Sequence, residues 1–432
     1  MAQHIHSSHQ AKTLPADLSA PGFVQVWRTR ALIVGAIFSV IAIVLGFLSG
    51  DGWDHFWRAW LQGFMLCFGF CGGGMALLMV QYLSGGKWGL ILRRPLEAMT
   101  RTLPLVFLYF LPVAIFGMNF GKLYIWARYA DWSTALKNHL ITGEQAHAIH
   151  YKHGILNPVG FWATSLICFA IIGLYIFLLN RWSLERDADS APNVKYWQTK
   201  FENISGFGVL LYSIMLFICA IYWVMSLDPT WYSTVYGFQY LVGQAYGVLA
   251  LGVLTLIGLS HGEPIKTAFR LTEQHDIGKL CFAFTMLNMY LAFAAFLIIW
   301  SGNSPEEIPW YLDRIRGGWG VIATLDVIFH WLIPFSLLLS RDLKRIKSRL
   351  VVVCCVMIFA RAWDQFWLIE PNFPDAARNL HFSVGILEYC AVPVAMIAFW
   401  MAYYFTELTR RPLVATNDPH LAEILEPEHA TA

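Results

Sequence analysis

Long apolar runs separated by short polar segments make up most of this sequence between about residues 31 and 406. An α-helix needs roughly 20 consecutive apolar residues to cross the hydrocarbon core of a bilayer. Runs of this length predict an all-α, polytopic integral membrane protein of about ten transmembrane helices. The predicted spans are 31–49, 59–83, 103–121, 159–180, 205–226, 238–260, 279–300, 319–340, 349–369 and 381–406.

Basic residues fall mainly on one side of these predicted spans. Cytoplasmic loops of membrane proteins retain Lys and Arg, whereas translocated loops carry few. Most of them lie in the segments on the side of the chain ends, and the loop 227–237 on the other side has none. We therefore expect both termini to be cytoplasmic. Tails of residues 1–30 and 407–432 would then flank a transmembrane domain of residues 31–406.

The composition excludes several other classes of protein. Hydrophobic residues make up 57% of the chain and charged residues 13%, whereas a soluble domain carries about 25% charged residues. The formal net charge of +2 provides no electrostatic basis for a nucleic-acid partner. The eight cysteines lie almost entirely in apolar runs, without haem-attachment or zinc spacing, and are typical of small hydrophobic side chains.

Ionisable residues lie within the last three predicted spans. Asp326 and His330 are in span eight, Arg361 and Asp364 in span nine, and Glu388 in span ten. Counting along each helix places them at similar depth, in the half of the membrane away from the chain ends. Because such residues are costly in a bilayer, they indicate a function. We expect them to form a proton path, with His330 nearest the midplane as the relay, since imidazole titrates near neutral pH.

Two other interpretations of these residues remain open. Arg361 could neutralise the carboxylates while Asp326 hydrogen-bonds to His330, so that the group only joins the helices. The group could instead line a ligand pocket.

Spans two to five have a different polar content. They offer neutral groups such as Gln62, Gln81, Asn119 and Ser165, without a deep carboxylate or histidine. Quinol oxidation needs a proton acceptor beside the quinol hydroxyl. We therefore expect catalytic quinol oxidation to occur elsewhere.

Glycines are concentrated in span two, at Gly69, Gly72, Gly73 and Gly74. Small residues allow a neighbouring helix to approach closely. A groove for a quinone tail is the alternative interpretation.

Histidines are also concentrated in the long loop after span three, at His139, His147, His150 and His153. Imidazole is a common metal ligand, but this spacing without a Cys or carboxylate partner is more typical of a solvated helix face, so we predict no metal site. Haem b is not expected either, because it would need opposed histidines on two spans and only His330 is deep enough.

Four segments resemble the F subunit of bacterial alternative complex III, a quinol:electron-acceptor oxidoreductase, and more loosely the NrfD-like membrane subunits of the polysulfide reductase superfamily. The most specific are SLDPTWYSTVYG at 226–237 and LIIWSGNSPEE at 297–307, and HDIGKLCFAFT at 275–285 and HGILNP at 153–158 support them.

The resemblance implies an accessory or non-catalytic subunit in the bacterial inner membrane. It would pack beside a sister NrfD-like subunit, in an assembly with an iron–sulfur protein and cytochrome c subunits. It would have no covalently bound cofactor, although menaquinone or another quinone is a possible ligand. A proton path and complex assembly are the roles we expect, with menaquinol oxidation by this chain or a standalone secondary transporter as alternatives.

Overall fold

The computed structural model of the protein describes residues 13–425 except 374 and 378. Parts of the two predicted tails, 1–12 and 426–432, lie outside the described residues. Within the described ranges all regular structure is helical, as predicted. The helices are α1 (Phe23–Ser49), α2 (Asp54–Ser84), α3 (Lys87–Thr100), α4 (Leu103–Pro112) with a π-helical continuation (Val113–Asn119), α5 (Ile125–Arg128), α6 (Trp132–Lys137), α7 (Gly143–Lys152), α8 (Pro158–Ala188), α9 (Val194–Trp223) with a 3₁₀ turn (Met225–Leu227), α10 (Tyr236–Leu259), α11 (Ile265–Ala268), α12 (Leu271–Gly302), α13 (Ile308–Ile315), α14 (Trp319–Asp326) continuing through a π-helix (Val327–Leu332) into α15 (Ile333–Leu339), α16 (Arg341–Arg345), α17 (Lys347–Ile369) with a 3₁₀ turn (Glu370–Asn372), a further 3₁₀ turn (Val384–Leu387) leading into α18 (Glu388–Thr409), and α19 (Leu421–Leu425).

The number of membrane-spanning helices agrees with the prediction. In the described part of the chain nine helical segments are long and apolar enough to cross a bilayer, and a tenth span results if α3 and the helix after it, bent by 41°, count as one. The protein is therefore an all-α, multi-pass membrane protein. The first helix begins at Phe23, inside the predicted tail 1–30, because Trp27 packs into α10 at Gly258, where a Cβ atom would lie 2.8 Å from the indole ring.

Helices α2 and α10 form the centre of the bundle. In their most apolar windows 89% and 83% of the residues are buried, against 17% in α1 and in α12. The glycines of α2 allow this close packing, because a Cβ at Gly72 would lie 2.3 Å from the Tyr212 hydroxyl and one at Gly73 2.9 Å from Gln244. Side chains of α9 and α10 thus pack directly against these two glycines.

Helix α3 departs from the sequence prediction. Its basic residues indicated a loop, but Arg93 and Arg94 are buried within the bundle. Arg94 pairs with Glu97 at 2.6 Å and with Asp187 of α8. Because acidic partners supplied by distant parts of the chain compensate these charges, the segment folds as a buried helix.

Both ends of the described chain lie at the same end of the bundle. The backbone N–H of Leu413 donates to the carbonyl of Leu18 at 2.8 Å. We call this the terminal end and the other the opposite end. At the opposite end, α5, α6 and α7 occupy the long loop before α8.

Candidate functional site

A cavity of about 260 Å³ lies between α10, α12, α13, the α14–α15 segment and α17. Its wall is mostly apolar and aromatic, with several polar groups at one side. Phe293 of α12 and Val327 of the π-helix line it and are 52% and 40% exposed on the outer surface of the bundle. The cavity therefore borders the surface that faces lipid. The polar and aromatic lining residues are Gln239, Tyr240, Asn288, Phe293, Phe296, Trp310, Tyr311, Asp326, His330, Trp331, Arg361, Asp364 and Trp367.

Asp326 and His330 are four residues apart and lie on one face of the α14–α15 segment. The His330 Nδ1 atom is 3.8 Å from the Asp326 Oδ1 atom, which is too long for a direct hydrogen bond, although a water beside the two atoms could contact both. Both side chains are largely shielded from solvent: 8% of the His330 side chain and 17% of the Asp326 side chain are exposed.

The backbone at His330 is π-helical, a geometry often found at functional sites. In a regular α-helix the His330 carbonyl would accept from residue 334, which is Pro334 and has no N–H. The Tyr246 hydroxyl of α10 donates to this carbonyl instead, at 3.2 Å. The Tyr246 ring also lies edge-on to the imidazole, 4.7 Å between centroids. Helix α10 therefore fixes the position of His330.

Arg361 and Asp364 of α17 form an ion pair across one helical turn. The guanidinium group lies against α10, 5.4 Å from the centre of the Tyr240 ring. A Cβ atom at Gly243 would lie 2.6 Å from the central carbon of this group. Because Gly243 has no side chain, the Arg361 guanidinium group fits between α10 and α17.

These four residues form one group, which we call the cavity cluster: Asp326, His330, Arg361 and Asp364. One ligating atom from each of its three acidic or imidazole members lies within 4.8 Å of the others. The Asp326 Oδ1 and His330 Nε2 atoms are buried without a protein partner among the described residues. Such a group can exchange protons, or it can take a cation or a ligand hydroxyl. Arg361 already supplies a positive charge to Asp364, which disfavours a metal ion.

Glu388 does not join the cavity cluster. It begins α18, is fully buried, and neither of its carboxylate oxygens has a hydrogen-bond partner in the described structure. The charged groups that influence it are Asp51 and His55. Similar depth along the membrane normal was a poor guide here, because counting residues along a helix does not fix the direction in which a side chain points.

Glu388 instead lies beside a second group near the opposite end, which we call the edge cluster: Asp51, His55, Arg58, Glu370 and Asp375. Arg58 contacts Glu370 at 3.1 Å and makes two bonds of 2.9 Å to Asp375. His55 pairs with Asp51 and lies 3.5 Å from Glu370.

The carboxylates of the edge cluster accept several hydrogen bonds. Tyr389 also hydrogen-bonds to Glu370. Burial alone would raise the pKa of Asp51, but hydrogen bonds from Ser49 and His55 lower it to about 2. Burial likewise acts to raise the pKa of Asp375, and the hydrogen bonds and charge of Arg58 lower it.

Sequence reasoning missed the edge cluster and the contribution of α10 to the cavity. The one available signal was His55 and Arg58, one helical turn apart just before predicted span two. The loop histidines lie elsewhere: His150 packs against Trp132 and His147 against Tyr151. Among the described residues, the two groups close enough to ligate a metal belong to the cavity and edge clusters.

Comparison of the sequence with protein-family models and with curated proteins gives no match. The resemblance to alternative complex III therefore depends on the motifs, and the two most specific of these adjoin residues that line the cavity. Trp231 of the first motif stacks on Trp310 at 4.2 Å, and Trp310 lines the cavity. The second motif ends just before α13, the helix that carries Trp310.

Proposed function

We propose that this protein is an accessory membrane subunit of a respiratory quinol oxidoreductase of the alternative complex III type. It would lie in the bacterial inner membrane with both termini cytoplasmic. It would pack beside a sister membrane subunit and contact iron–sulfur and cytochrome c subunits. The cavity cluster would carry protons within the bilayer.

One observation carries the proton-path proposal: a shielded carboxylate and a buried imidazole, each with an atom that has no partner in the described part of the chain, face the same cavity. Proton transfer requires donor and acceptor within hydrogen-bond distance or separated by one water. Asp326 and His330 are 3.8 Å apart, so one water beside them could contact both groups and supports the second arrangement. His330 is the relay in this proposal because neutral imidazole can accept a proton at one nitrogen and release it from the other.

The purely structural interpretation accounts for only half of the cluster. Arg361 and Asp364 form a pair of the kind that holds helices together. Asp326 and His330 do not bond directly, and a structural role would favour satisfied polar atoms. The difference within the cluster supports a function for Asp326 and His330.

A second candidate function, menaquinol binding, is favoured by the cavity itself. Binding sites for small molecules are mostly apolar, with a few convergent polar groups. Here Gln239, Asn288 and His330 face an aromatic chamber bordered by the lipid-facing surface, from which a quinol could enter. Asp326 and His330 would then be the proton acceptors that spans two to five lack. A standalone transporter is the third candidate, because the bend between α3 and α4 interrupts one span.

The decisive experiment measures protons translocated per quinol oxidised in the reconstituted complex. His330→Gln and Asp326→Asn should slow proton movement by about 100-fold while electron transfer continues. Asp342→Asn, which alters an exposed carboxylate on α16, is the matched control. Glu388→Gln would test whether the separate buried carboxylate belongs to the same path. Unchanged proton movement in both cluster variants would contradict the proposal.

Equilibrium binding of a soluble quinone analogue tests the second candidate. Ala323→Trp would fill the cavity from α14, and we expect it to abolish binding if the analogue occupies this site. A transporter would retain its activity when purified without haem-bearing partners.

A further inference from the structure

A second cavity, of about 190 Å³, lies at the terminal end of the bundle. We call it the terminal pocket. The ends of α2 and α8, the start of α9, helix α3 and the segment after α18 surround it. Its main polar residues are Tyr82, Arg93, Arg186 and Asp418, with Trp197 and Phe201 on the apolar side. A single water needs about 10–15 Å³, so the pocket has room for a larger group.

The terminal pocket has more hydrogen-bond donors than acceptors. Arg93 bonds to Asp418 and, at 3.2 Å, to Gln81, and one Arg186 nitrogen lies 3.5 Å from Asp418. Several donors of the same side chains are buried without a protein acceptor in the described ranges. These are the Tyr82 hydroxyl, the Arg93 Nε atom, and the Nε and Nη2 atoms of Arg186. Because a buried donor without an acceptor is unfavourable, the arrangement suits a ligand with several acceptor oxygens.

The charge of the pocket also favours an anion. Two guanidinium groups face one carboxylate, Asp418. Burial acts to raise the pKa of Asp418, but Arg93 and Arg186 hold it below its usual value, so the carboxylate is ionised and one positive charge remains. Guanidinium groups present a planar set of donors that matches phosphate oxygens.

The walls of the pocket are preorganised. The rings of Tyr82 and Phe201 stack with centroids 4.2 Å apart, and the guanidinium groups of Arg93 and Arg186 lie over these rings at 5.1 and 5.2 Å. The Asn417 amide donates to three carbonyls at the end of α8. The segment carrying Asp418 is thus held in place independently of the ion pairs.

Neighbouring aromatic residues place the pocket at headgroup depth. The Lys200 ammonium lies 4.4 Å from the Trp182 ring and 4.7 Å from the Trp197 ring, and Trp197 also lines the pocket. Tryptophans concentrate at the membrane–water interface, and basic pockets between helices there bind anionic headgroups.

We propose that the terminal pocket is a binding site for a phosphate-bearing anion, held by Arg186, Arg93 and Tyr82. The ligand could be the headgroup of an anionic phospholipid or free phosphate, since both present the same oxygens. Asp418 occupies part of the site and weakens the binding of the anion.

The test is thermal unfolding of the full-length protein in neutral detergent. It is titrated separately with phosphatidylglycerol, phosphatidylcholine and inorganic phosphate. We expect phosphatidylglycerol or phosphate to raise the Tm, and phosphatidylcholine to have a much smaller effect. Arg186→Gln should weaken the effective affinity about tenfold or more, as expected for a charged hydrogen bond. Arg181→Gln is the matched control, because this arginine of α8 is 61% exposed and pairs with Glu185.

Two further variants keep the test informative if Arg186→Gln does not fold. Tyr82→Phe removes only the unpaired hydroxyl and should weaken binding severalfold. Asp418→Asn removes the competing charge and should tighten it. A shift with phosphatidylglycerol alone identifies a lipid, and a shift with phosphate as well identifies a general phosphate site. Equal shifts in the wild type, Arg186→Gln and Tyr82→Phe, or no shift in the wild type, would overturn the proposal.

Discussion

The cavity cluster and the edge cluster contain the same kinds of residue, an arginine, a histidine and carboxylates, but they differ in how their charges are satisfied. In the edge cluster Arg58 bridges Glu370 and Asp375, and His55 lies between Asp51 and the same Glu370. In the cavity cluster Arg361 pairs directly with Asp364, while Asp326 and His330 face a cavity without a direct bond to each other. Charged residues in this membrane protein thus fall into two classes, one whose members are directly paired and one, Asp326 and His330, for which we propose a role in proton exchange.

The largest expected effect is the loss of folding stability when the edge cluster is disrupted. Arg58→Ala removes the guanidinium group that bonds to Asp375 and to Glu370, whose side chain is only 2% exposed. Glu370 keeps Tyr389 and the nearby His55, but the loss of the buried arginine from both carboxylates should destabilise the protein by about 3–5 kcal/mol. Thermal or denaturant unfolding in detergent measures this loss.

Arg181→Ala is the control for Arg58, since exposed ion pairs contribute about 0–1 kcal/mol. Asp326→Asn should cost far less than Arg58→Ala, because His330, which pairs with Asp326 in the described structure, lies 3.8 Å away without a direct hydrogen bond. If the two costs were reversed, the assignment of a structural role to the edge cluster and an exchange role to the cavity cluster would be wrong.

An effect of intermediate size concerns the pH dependence of the edge cluster. The pKa of Asp51 is lowered to about 2 by Ser49 and His55. A carboxylate with a lowered pKa stabilises the fold above its ordinary pKa, and this contribution is lost as the pH falls through the folded-state value. We expect Asp51→Asn to lower the free energy of unfolding by about 1–2 kcal/mol at neutral pH.

The difference between wild type and Asp51→Asn should shrink between pH 4 and pH 2, where the wild-type carboxylate becomes protonated. Unfolding of both proteins across this range provides the measurement. A difference that stays constant down to pH 2 would mean that the carboxylate charge of Asp51 does not stabilise the fold.

The sequence pattern was informative where one helix contains all the relevant residues. Apolar length predicted about ten spans, and the described residues contain nine, or ten if the bent pair counts as one. Helix geometry brings together Asp326 and His330, and likewise Arg361 and Asp364. These are local relations that helix geometry determines.

Relations between distant segments were not predictable in this way. Arg58 and Glu370 are 312 residues apart, and no local pattern connects them. Helix α3 resembled a polar loop because the acidic partners of its arginines, such as Asp418, lie far away in sequence. Glu388 was placed in the wrong neighbourhood for the same reason, since the packing of α18 against other helices determines which group it meets.

The smallest expected effect concerns the hydrogen bond that supports His330 in the cavity cluster. Tyr246→Phe removes the hydroxyl that donates to the His330 carbonyl, where Pro334 cannot. The loss of one such hydrogen bond should destabilise the protein by about 1 kcal/mol.

Tyr404→Phe is the matched control. The Tyr404 hydroxyl is also buried and donates to Thr255 at 3.2 Å, and neither residue belongs to the cavity cluster. Both variants should lose similar stability, but Tyr246→Phe alone should slow proton movement in the reconstituted complex, since it loosens the backbone that positions His330. Equal proton movement in the two variants would mean that the π-helical turn needs no support from α10, and the cavity cluster would then depend on its own helices for its geometry.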